Sequence, residues 1–204
     1  MTRSTEEAPP TLWDRSRRLA RQSIMDAAMR LFTDQGFEAT TIAQVALEAG
    51  VSQRTLFRYF GTKEDLIGGD QEVFGDVLRQ TVAEQPARAS SWAALRAGIV
   101  AVLAAHDAPE HFRDRFRLIL TIPTLRARYL EKRLRWQADL LPLIAERMGL
   151  GDRPADPRPR AVIATSFACF DAALDAWIED DSVPLDQLYD QCVATVRGQR
   201  PPKP

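Results

Sequence analysis

The sequence is poor in the residues that build catalytic and metal sites. It contains two histidines and two cysteines among 204 residues. His106 and His111 are five positions apart, a spacing that does not put two ligands on one face of a helix. Cys169 and Cys192 are far apart in apolar segments, which favours small buried side chains over a zinc or redox motif. We therefore predict that the protein holds no metal and no cofactor.

Paired carboxylates that would serve an enzyme are also scarce. Asp171 and Asp175 fall on one helical face, but no nucleophile or metal-spaced partner accompanies them. The acidic run at 179–181 is more typical of a solvated helix end. Enzymatic activity is the weaker alternative, and we predict that the protein is not an enzyme.

An excess of charge of one sign and long hydrophobic runs are missing as well. The formal net charge is -1, so the charge of the whole chain does not mark it as a nucleic-acid binder. No run approaches the roughly 20 apolar residues of a membrane span, and the N-terminus lacks a signal-peptide core. These absences predict a cytoplasmic protein without a membrane partner.

Positive charge is concentrated in one short segment near the N-terminus. Arg15, Arg17, Arg18 and Arg21 follow one another with only Asp14 as an acidic residue among them. Such a cluster is typical of an arm that lies along a DNA backbone or enters a minor groove, with Arg17 and Arg18 as the candidate contacts. A solvated charge run beside a helix is the alternative interpretation.

Residues 40–63 predict two short helices joined by a tight turn. Thr41 and Gln44 have the spacing of a capping box at the start of the first helix. Gly50 stands where a left-handed residue would end that helix, and Ser52 can cap the second one. Two short helices with a glycine in the turn form a helix-turn-helix, whose second helix enters the major groove of DNA.

The side chains outside the predicted apolar face suit contacts with DNA. Leu56 and Phe60 point inward, which leaves Gln53, Arg54 and Thr55 to read base edges. Arginine can bind guanine at O6 and N7, glutamine can bind adenine, and threonine can contact a thymine methyl group. The predicted contacts with the DNA backbone are Thr41, Ser52, Arg58, Tyr59 and Lys63.

In order and spacing, residues 15–66 resemble the TetR family of transcriptional regulators. The resemblance ends in a specific Phe-x-Tyr-Phe-Gly-x-Lys-Glu motif at 57–64. One departure is Arg58-Tyr59, where the family often has Tyr-His, so the preferred DNA sequence is not carried over. The other matching residues are Leu31-Phe32, Gly36-Phe37, Thr40-Thr41, Val45-Ala46, Ala49-Gly50-Val51-Ser52 and Thr55-Leu56.

The resemblance implies a homodimeric, ligand-responsive repressor bound to a palindromic operator in double-stranded DNA. Ligand binding would tilt a helix behind the DNA-reading helices and change the separation of the two reading heads. Two alternatives remain open. One is an architectural DNA-binding protein without an effector, and the other is a small-molecule-binding protein that has lost DNA recognition.

Helical periodicity without any alternating strand pattern predicts an all-α fold in two parts. A fourth helix is expected from Thr62 to about Val82, directly after the DNA-reading helices. The predicted parts are a polar tail over 1–11, a helix-turn-helix DNA-binding domain over 12–61, a ligand-binding and dimerisation domain over 62–199, and a frayed tail over 200–204.

The last two predicted helices carry more aromatic and small residues than one core face requires. An excess of apolar surface indicates an interface, and in the resembled family these helices pair with those of a second subunit. Ordinary core packing is the alternative. The predicted interface residues are Phe170, Leu174, Trp177, Leu188, Cys192 and Val196.

A ligand pocket is expected among the middle helices, although ordinary core packing is an equal alternative for each candidate. Trp13-Asp14-Arg15 and the segment Leu120–Arg128 resemble a branch of the family linked to acyl-coenzyme-A-like ligands, including regulators of mycofactocin gene clusters. An acyl chain would fill an aromatic channel, and arginines such as Arg113, Arg117 or Arg128 would meet the phosphates. The predicted ligand contacts are Trp92, Ile99, Phe112, Phe116, Arg117, Leu120, Trp136, Leu140, Phe167, Phe170 and Asp171.

Overall fold

The computed structural model describes residues 12–68, 71–105, 109–151 and 156–199, and within these ranges it contains helices and loops but no strand. The predicted all-α fold is confirmed. The predicted tails over 1–11 and 200–204 lie outside these residues. The helices are α1 (Leu12–Gln35), α2 (Ile42–Glu48), α3 (Gln53–Tyr59), α4 (Asp65–Gly68), α5 (Gln71–Glu84), α6 (Ser91–Ala104), α7 (Pro109–Thr121), α8 (Pro123–Arg147), α9 (Arg158–Glu179) and α10 (Leu185–Val196).

The chain divides into two compact units after Gly69, rather than at the predicted boundary between 61 and 62. The difference comes from α4, which follows the reading helices and contacts α1. Leu66 and Ile67 are fully buried, and they add to the core that Ile24 and Phe32 of α1 provide. The first unit therefore needs α4 to complete its apolar core.

The helix predicted from 62 to about 82 is described in two segments, on either side of residues that the structure does not describe. α4 ends at Gly68, and α5 begins at Gln71. Residues 69–70 are not among those described.

The second unit is built from α5 to α10. α5 packs along α6, α10 packs along α9, and α8 contacts α5, α7 and α9. Gly98 lets α5 and α6 approach closely, because a Cβ there would lie 2.7 Å from Leu78 Cδ1. The largest fully buried side chains of the second unit include Leu95, Leu140, Ile144, Ile163, Leu174 and Tyr189.

An arginine from the last turn of α8 caps the C-terminal end of α5. Arg147 Nη2 donates to the carbonyl oxygens of Val82 (3.1 Å) and Gln85 (3.0 Å). Its Nη1 donates to those of Pro86 (2.7 Å) and Ala89 (3.1 Å). A helix end leaves its last carbonyls without intrahelical partners. Arg147 supplies a partner for that of Val82 and for three carbonyls after the helix, and it fixes this end of α5 to α8.

A buried tyrosine joins α9 to α10 and makes the fold sensitive to alkali. The Tyr189 hydroxyl lies 2.6 Å from Ser166 Oγ, and burial raises the pKa of Tyr189 to about 12. The unfolded chain loses this proton near pH 10, whereas the folded chain keeps it up to its higher pKa.

We therefore expect the free energy of unfolding to fall between about pH 10 and pH 12, by about 2 kcal/mol from this group. The same stability is fully present below pH 10. Urea unfolding of the protein and of Tyr189→Phe across this range measures the effect. An equally steep fall in the variant would contradict the assignment to Tyr189.

The helix α9 is long and apolar enough to cross a membrane by length and composition alone, contrary to the expectation from the sequence. Core helices of soluble proteins pass the same test. Only 39% of its apolar window is buried within the structure. Much of the apolar surface of α9 is therefore left uncovered by this chain.

Candidate nucleic-acid interface and cavities

The helix-turn-helix signals in the sequence are confirmed by the geometry of the first unit. Thr41 Oγ1 accepts a hydrogen bond from Gln44 N (3.2 Å), and Gln44 Oε1 accepts one from Thr41 N (2.8 Å), which completes the capping box. Gly50, just after the C-terminal end of α2, has φ +66°, in the left-handed region that is typical of a residue ending a helix. Ser52 Oγ accepts from Thr55 N (3.1 Å) and caps α3.

The helix α3 buries one side and presents the other to solvent. Leu56 and Phe60 are buried as predicted. Gln53, Arg54 and Arg58 are exposed. Thr55 and Tyr59 are half-buried, and Thr55 Oγ1 shares a 2.9 Å hydrogen bond with Ser52 Oγ. The Arg58 guanidinium lies 5.4 Å from the centre of the Tyr59 ring. The predicted base-reading residues are thus brought together on or beside one exposed face.

An apolar residue that the sequence did not predict as a contact also lies on this face. Phe57 is 50% exposed, although it is large and hydrophobic. It lies three residues after Arg54, so helical spacing alone places it beside the predicted base-reading residues. An exposed aromatic ring next to polar residues is the signal that identifies a contact surface.

Lys63 is used differently from its predicted phosphate contact. Its ammonium donates to the carbonyl oxygens of Phe37 (2.8 Å), Thr40 (3.1 Å) and Glu38 (3.4 Å). It also lies 4.2 Å from the centre of the Phe37 ring. Because a lysine ammonium has three donors, these carbonyls occupy them all. Lys63 therefore holds the loop between α1 and α2 rather than an external anion.

We expect Lys63→Met to destabilise the first unit by about 1–3 kcal/mol, because three carbonyls lose a charged donor while the side-chain length is kept. The variant should lower Tm by roughly 4–8 °C for each kcal/mol lost in a unit of this size. Thermal unfolding of the full chain measures the change, and Arg54→Met is the control because Arg54 is exposed. Equal Tm values for the two variants would show that the hydrogen bonds of Lys63 do not stabilise the unit. The predicted contact of Lys63 with a DNA phosphate would then stand.

The predicted N-terminal arm is helical in the structure. α1 begins at Leu12, so Arg17 and Arg18 lie within its first turns and not on an extended segment. The Arg17 side chain is exposed, whereas that of Arg18 lies outside the described residues. The following Arg21 guanidinium lies 4.8 Å from the centre of the Phe60 ring, which ties α1 to the end of α3.

Two cavities are lined by described residues of the second unit, and the larger of these has a volume of about 300 Å³. One wall is α6, and other walls are Phe112 of α7 and Trp177 of α9, whose rings are 5.8 Å apart. Of the predicted ligand contacts, Phe112 lines this cavity. The full described lining is Val100, Leu103, Ala104, Phe112, Trp177, Leu185 and Asp186.

The smaller cavity, of about 40 Å³, is lined by four predicted ligand contacts. Gly75 gives Trp136 its place at this wall, because a Cβ on Gly75 would lie 2.5 Å from Trp136 Nε1. The predicted contacts in the lining are Ile99, Trp136, Phe167 and Phe170, and the other described residues are Leu78, Val102, Tyr129 and Arg133.

Other predicted ligand contacts lie outside the described linings of both cavities. Trp92 lies under the Arg197 guanidinium, 5.7 Å from it, at the end of α10. Leu140 is fully buried core, and Leu120 is half-buried. Phe116 packs between Phe112 and Tyr129, with ring centres 4.6 and 5.8 Å away. Hydrophobic type alone therefore did not distinguish pocket from core.

Two arginines expected to meet ligand phosphates are instead used at the end of α9. Arg113 donates to the carbonyl oxygens of Ile178 (2.9 Å) and Glu179 (3.1 Å). Arg117 donates to Ile178 (3.3 Å) and to Asp114 Oδ1 (3.0 Å). Cations at a helix C-terminus complement its dipole, which explains these positions without a ligand.

Asp171 belongs to a polar group beside the smaller cavity. It forms an ion pair with Arg133, and the Tyr129 hydroxyl donates to its Oδ1 (3.4 Å). Burial raises the pKa of Asp171, against the opposing effect of Arg133. Asp171 is therefore not in the described lining of the cavity, but it pairs with Arg133, which is.

The predicted dimer face of α9 is largely internal. Leu174 is 1% exposed, so it is core, and Phe170 and Trp177 line the cavities. On α10, Leu188 and Cys192 are half-buried, and Val196 is 58% exposed. A second face of α9, the alanine stripe, is exposed instead. Its members are Ala161, Ala164, Ala168, Ala172 and Ala176.

Comparison with protein families agrees with both units. The family described as bacterial regulatory proteins of the tetR family matches residues 24–68. The family described as the MftR C-terminal domain matches residues 89–201. The two matches correspond to the helix-turn-helix and to most of the second unit.

Comparison with individual proteins also identifies transcriptional regulators as relatives of this chain. The chain is 35% identical to the HTH-type transcriptional regulator TcmR of Streptomyces glaucescens, over 92% of this chain and 85% of TcmR. It is 29% identical to MftR of Mycobacterium tuberculosis, named as a mycofactocin biosynthesis transcriptional regulator, over 80% and 82% of the two chains. FadR of Bacillus subtilis, solved in complex with stearoyl-CoA, has a TM-score of 0.56 at 22% identity over 88% and 98%. This last similarity shows the fold.

Proposed function

Because the chain belongs to the TetR family of transcriptional regulators, which are DNA-binding proteins and not enzymes, we propose that it is a homodimeric repressor released from a palindromic operator by a hydrophobic effector. The observation that carries the proposal is the capped helix α3, with Gln53, Arg54 and Arg58 exposed on one face. Such a protein acts in the cytoplasm, where its operator is.

The proposed base contacts are made by the first turns of α3. Arg54 pairs with guanine and Gln53 with adenine, while Thr55 contacts a base edge or a thymine methyl group. Phe57 adds an apolar contact to a thymine methyl group, since its ring is half-exposed on the same helix. The neutral and charged residues that contact bases thus lie within about one and a half turns of α3.

The proposed backbone contacts surround these readers. Thr41 and Ser52 stand at helix N-termini, where backbone N–H groups and hydroxyls meet phosphate oxygens. Arg58 and Tyr59 add a cation and a phenol from the end of α3, and Arg17 and Arg18 add charge from α1. Lys63 supports this surface indirectly by fixing the loop before α2.

The proposed dimer interface combines the alanine stripe of α9 with Leu188, Cys192 and Val196 of α10. Small residues allow the helices of two subunits to approach closely, and the three α10 residues recur every four positions on one face. Most of the apolar window of α9 is unburied in one chain, and a second subunit would cover it. A two-fold dimer also places two copies of α3 on the two halves of a palindrome.

The proposed effector is a small hydrophobic or acyl-CoA-like molecule. The larger cavity has apolar walls and one carboxylate, Asp186, which suits a ligand with an extended hydrocarbon part. The fold shared with FadR, which was solved in complex with stearoyl-CoA, supports the acyl-CoA class.

Palmitoyl- and oleoyl-coenzyme A at tens of micromolar should raise Tm by at least about 2 °C, because a ligand that binds only the folded state stabilises it. Differential scanning fluorimetry of the full chain measures the shift, with free coenzyme A as the control. No shift with either acyl-coenzyme A would count against the acyl-CoA class.

In the proposed mechanism, the effector stabilises an arrangement of the second unit that does not match the operator. Only residues 69–70 separate α4 of the first unit from α5 of the second along the chain. The effector needs to favour the non-binding state by a few kcal/mol to empty the operator.

Selection of bound duplexes from a random DNA pool tests the function. The proposal expects a recovered palindrome with half-sites one or more helical turns apart, and release of that DNA when an effector is added. No enrichment at low salt by folded protein, with or without acyl-coenzyme A, would contradict it. Sequence-selective binding that no ligand alters would favour an architectural protein.

A further inference from the structure

One buried arginine in the second unit is only partly matched by protein groups. Arg133 lines the smaller cavity, and its side chain is 7% exposed. Its guanidinium lies 5.4 Å from the centre of the Tyr129 ring and 5.2 Å from that of Phe167. Nη1 pairs with Asp171, but buried Nε has no hydrogen-bond partner within the described ranges. A buried donor without a partner is unfavourable, so this position would gain from an acceptor.

We propose that Arg133 recognises a carboxylate at the end of a hydrophobic effector, and that this carboxylate replaces Asp171 as the partner of Arg133. The proposal rests on the proposed function, in which the protein responds to such an effector. Its ligand class is a medium-chain or long-chain carboxylate. The planar guanidinium suits a carboxylate because its parallel donors match the two oxygens.

The two partners of the existing ion pair differ in their access to water. The Asp171 side chain is 37% exposed, whereas that of Arg133 is 7% exposed. Asp171 can therefore turn toward solvent and regain its hydration, while Arg133 cannot. The Tyr129 hydroxyl, which now donates to Asp171 over 3.4 Å, would then be available to the incoming carboxylate.

The positions of the two cavities fit a ligand with a polar head and an apolar tail. The smaller cavity, at about 40 Å³, suits a head group, and the larger, at about 300 Å³, suits a chain. Neighbouring residues of α6 line both: Val102 belongs to the smaller and Leu103 to the larger. The ring of Phe116 packs against that of Phe112, which lines the larger cavity, and that of Tyr129, which lines the smaller.

Isothermal titration calorimetry of the full chain without DNA tests the proposal with decanoate, 1-decanol and decanoyl-coenzyme A. Asp171→Asn removes the competing charge and keeps the size of the side chain. We expect this variant to bind decanoate about tenfold tighter than the unmodified protein, with no change for decanol. Asp175→Asn is the matched control, since it removes an exposed carboxylate one turn further along α9.

Arg133→Gln should weaken decanoate binding by at least about tenfold, and thermal unfolding shows whether this variant is folded. If Arg133→Gln does not fold, the Asp171→Asn titration still tests the proposal. The proposal is overturned if Asp171→Asn leaves decanoate affinity unchanged or lower, if it tightens decanol equally, or if it shows no decanoate binding at about 1 mM. A response confined to decanoyl-coenzyme A would also overturn it, in favour of a thioester acceptor. Failure of the protein to bind any operator would instead refute the proposed function. The titration is done without DNA, so its result does not depend on operator binding.

Discussion

Arg54→Ala will weaken binding to the selected operator by at least about 30-fold. Each protomer of the proposed dimer loses one arginine–guanine pair, worth about 1–3 kcal/mol of discrimination. Two half-sites double that loss, and each 1.4 kcal/mol is a factor of ten in affinity. Fluorescence anisotropy with the palindrome and with a variant changed at the guanine measures both affinity and specificity.

The specificity change separates base reading from general attraction. Arg54→Ala should bind the two duplexes about equally, because the residue that tells them apart is gone. Tyr59→Ala should lose affinity for both duplexes alike, as expected of a backbone contact. Arg79→Ala is the matched control, since it removes an exposed arginine of α5 that pairs with Asp76. Unchanged guanine preference in Arg54→Ala would show that another residue reads this base.

Ala168→Arg will convert the proposed dimer to a monomer at micromolar concentration. Ala168 lies midway along the alanine stripe, where a long charged side chain would separate two closely packed helices and leave its charge buried. Because Ala168 is exposed in the single chain, the fold of each protomer should be kept. Sedimentation equilibrium measures the mass, and far-ultraviolet circular dichroism confirms the helices.

The same variant should lose at least about 100-fold in operator affinity. A monomer engages one half-site, and the second half-site no longer benefits from the high effective concentration that the dimer provides. Ala83→Arg, which changes an exposed alanine of α5, is the control and should stay dimeric. An Ala168→Arg protein that sediments as a dimer and binds the operator normally would exclude the alanine stripe as the interface.

The DNA-reading region was predictable because its signals are local. Thr41 and Gln44 are three residues apart, and Ser52 caps the helix that follows it directly, so sequence spacing determines these contacts. Lys63 shows the limit of such reasoning. Its three acceptors lie on a loop more than twenty residues earlier, and spacing does not show that the loop folds back to it. Charge alone therefore suggested an external anion.

The faces of α9 could not be assigned for a different reason. Helical periodicity identifies the buried side only when the opposite side is polar. In α9 the opposite side carries alanines, so both sides are apolar, and the larger residues Phe170 and Trp177 were taken for the interface. The fold shows that large residues fill the interior and the cavities. The small residues lie on the exposed face, which is the proposed interface.

The Arg147 cap fixes one end of α5 to α8. Its C-terminal end is fixed by four hydrogen bonds near Val82, while its other end, Gln71, leads back toward the first unit along the chain. Leu78, at the wall of the smaller cavity, lies about 6 Å along the axis from Val82, and Gln71 lies about 16 Å from it. In the proposed mechanism, a sideways push on Leu78 by the effector would reach Gln71 enlarged roughly threefold if α5 turned about its capped end. A small displacement at the cavity would then become a large one where α5 begins.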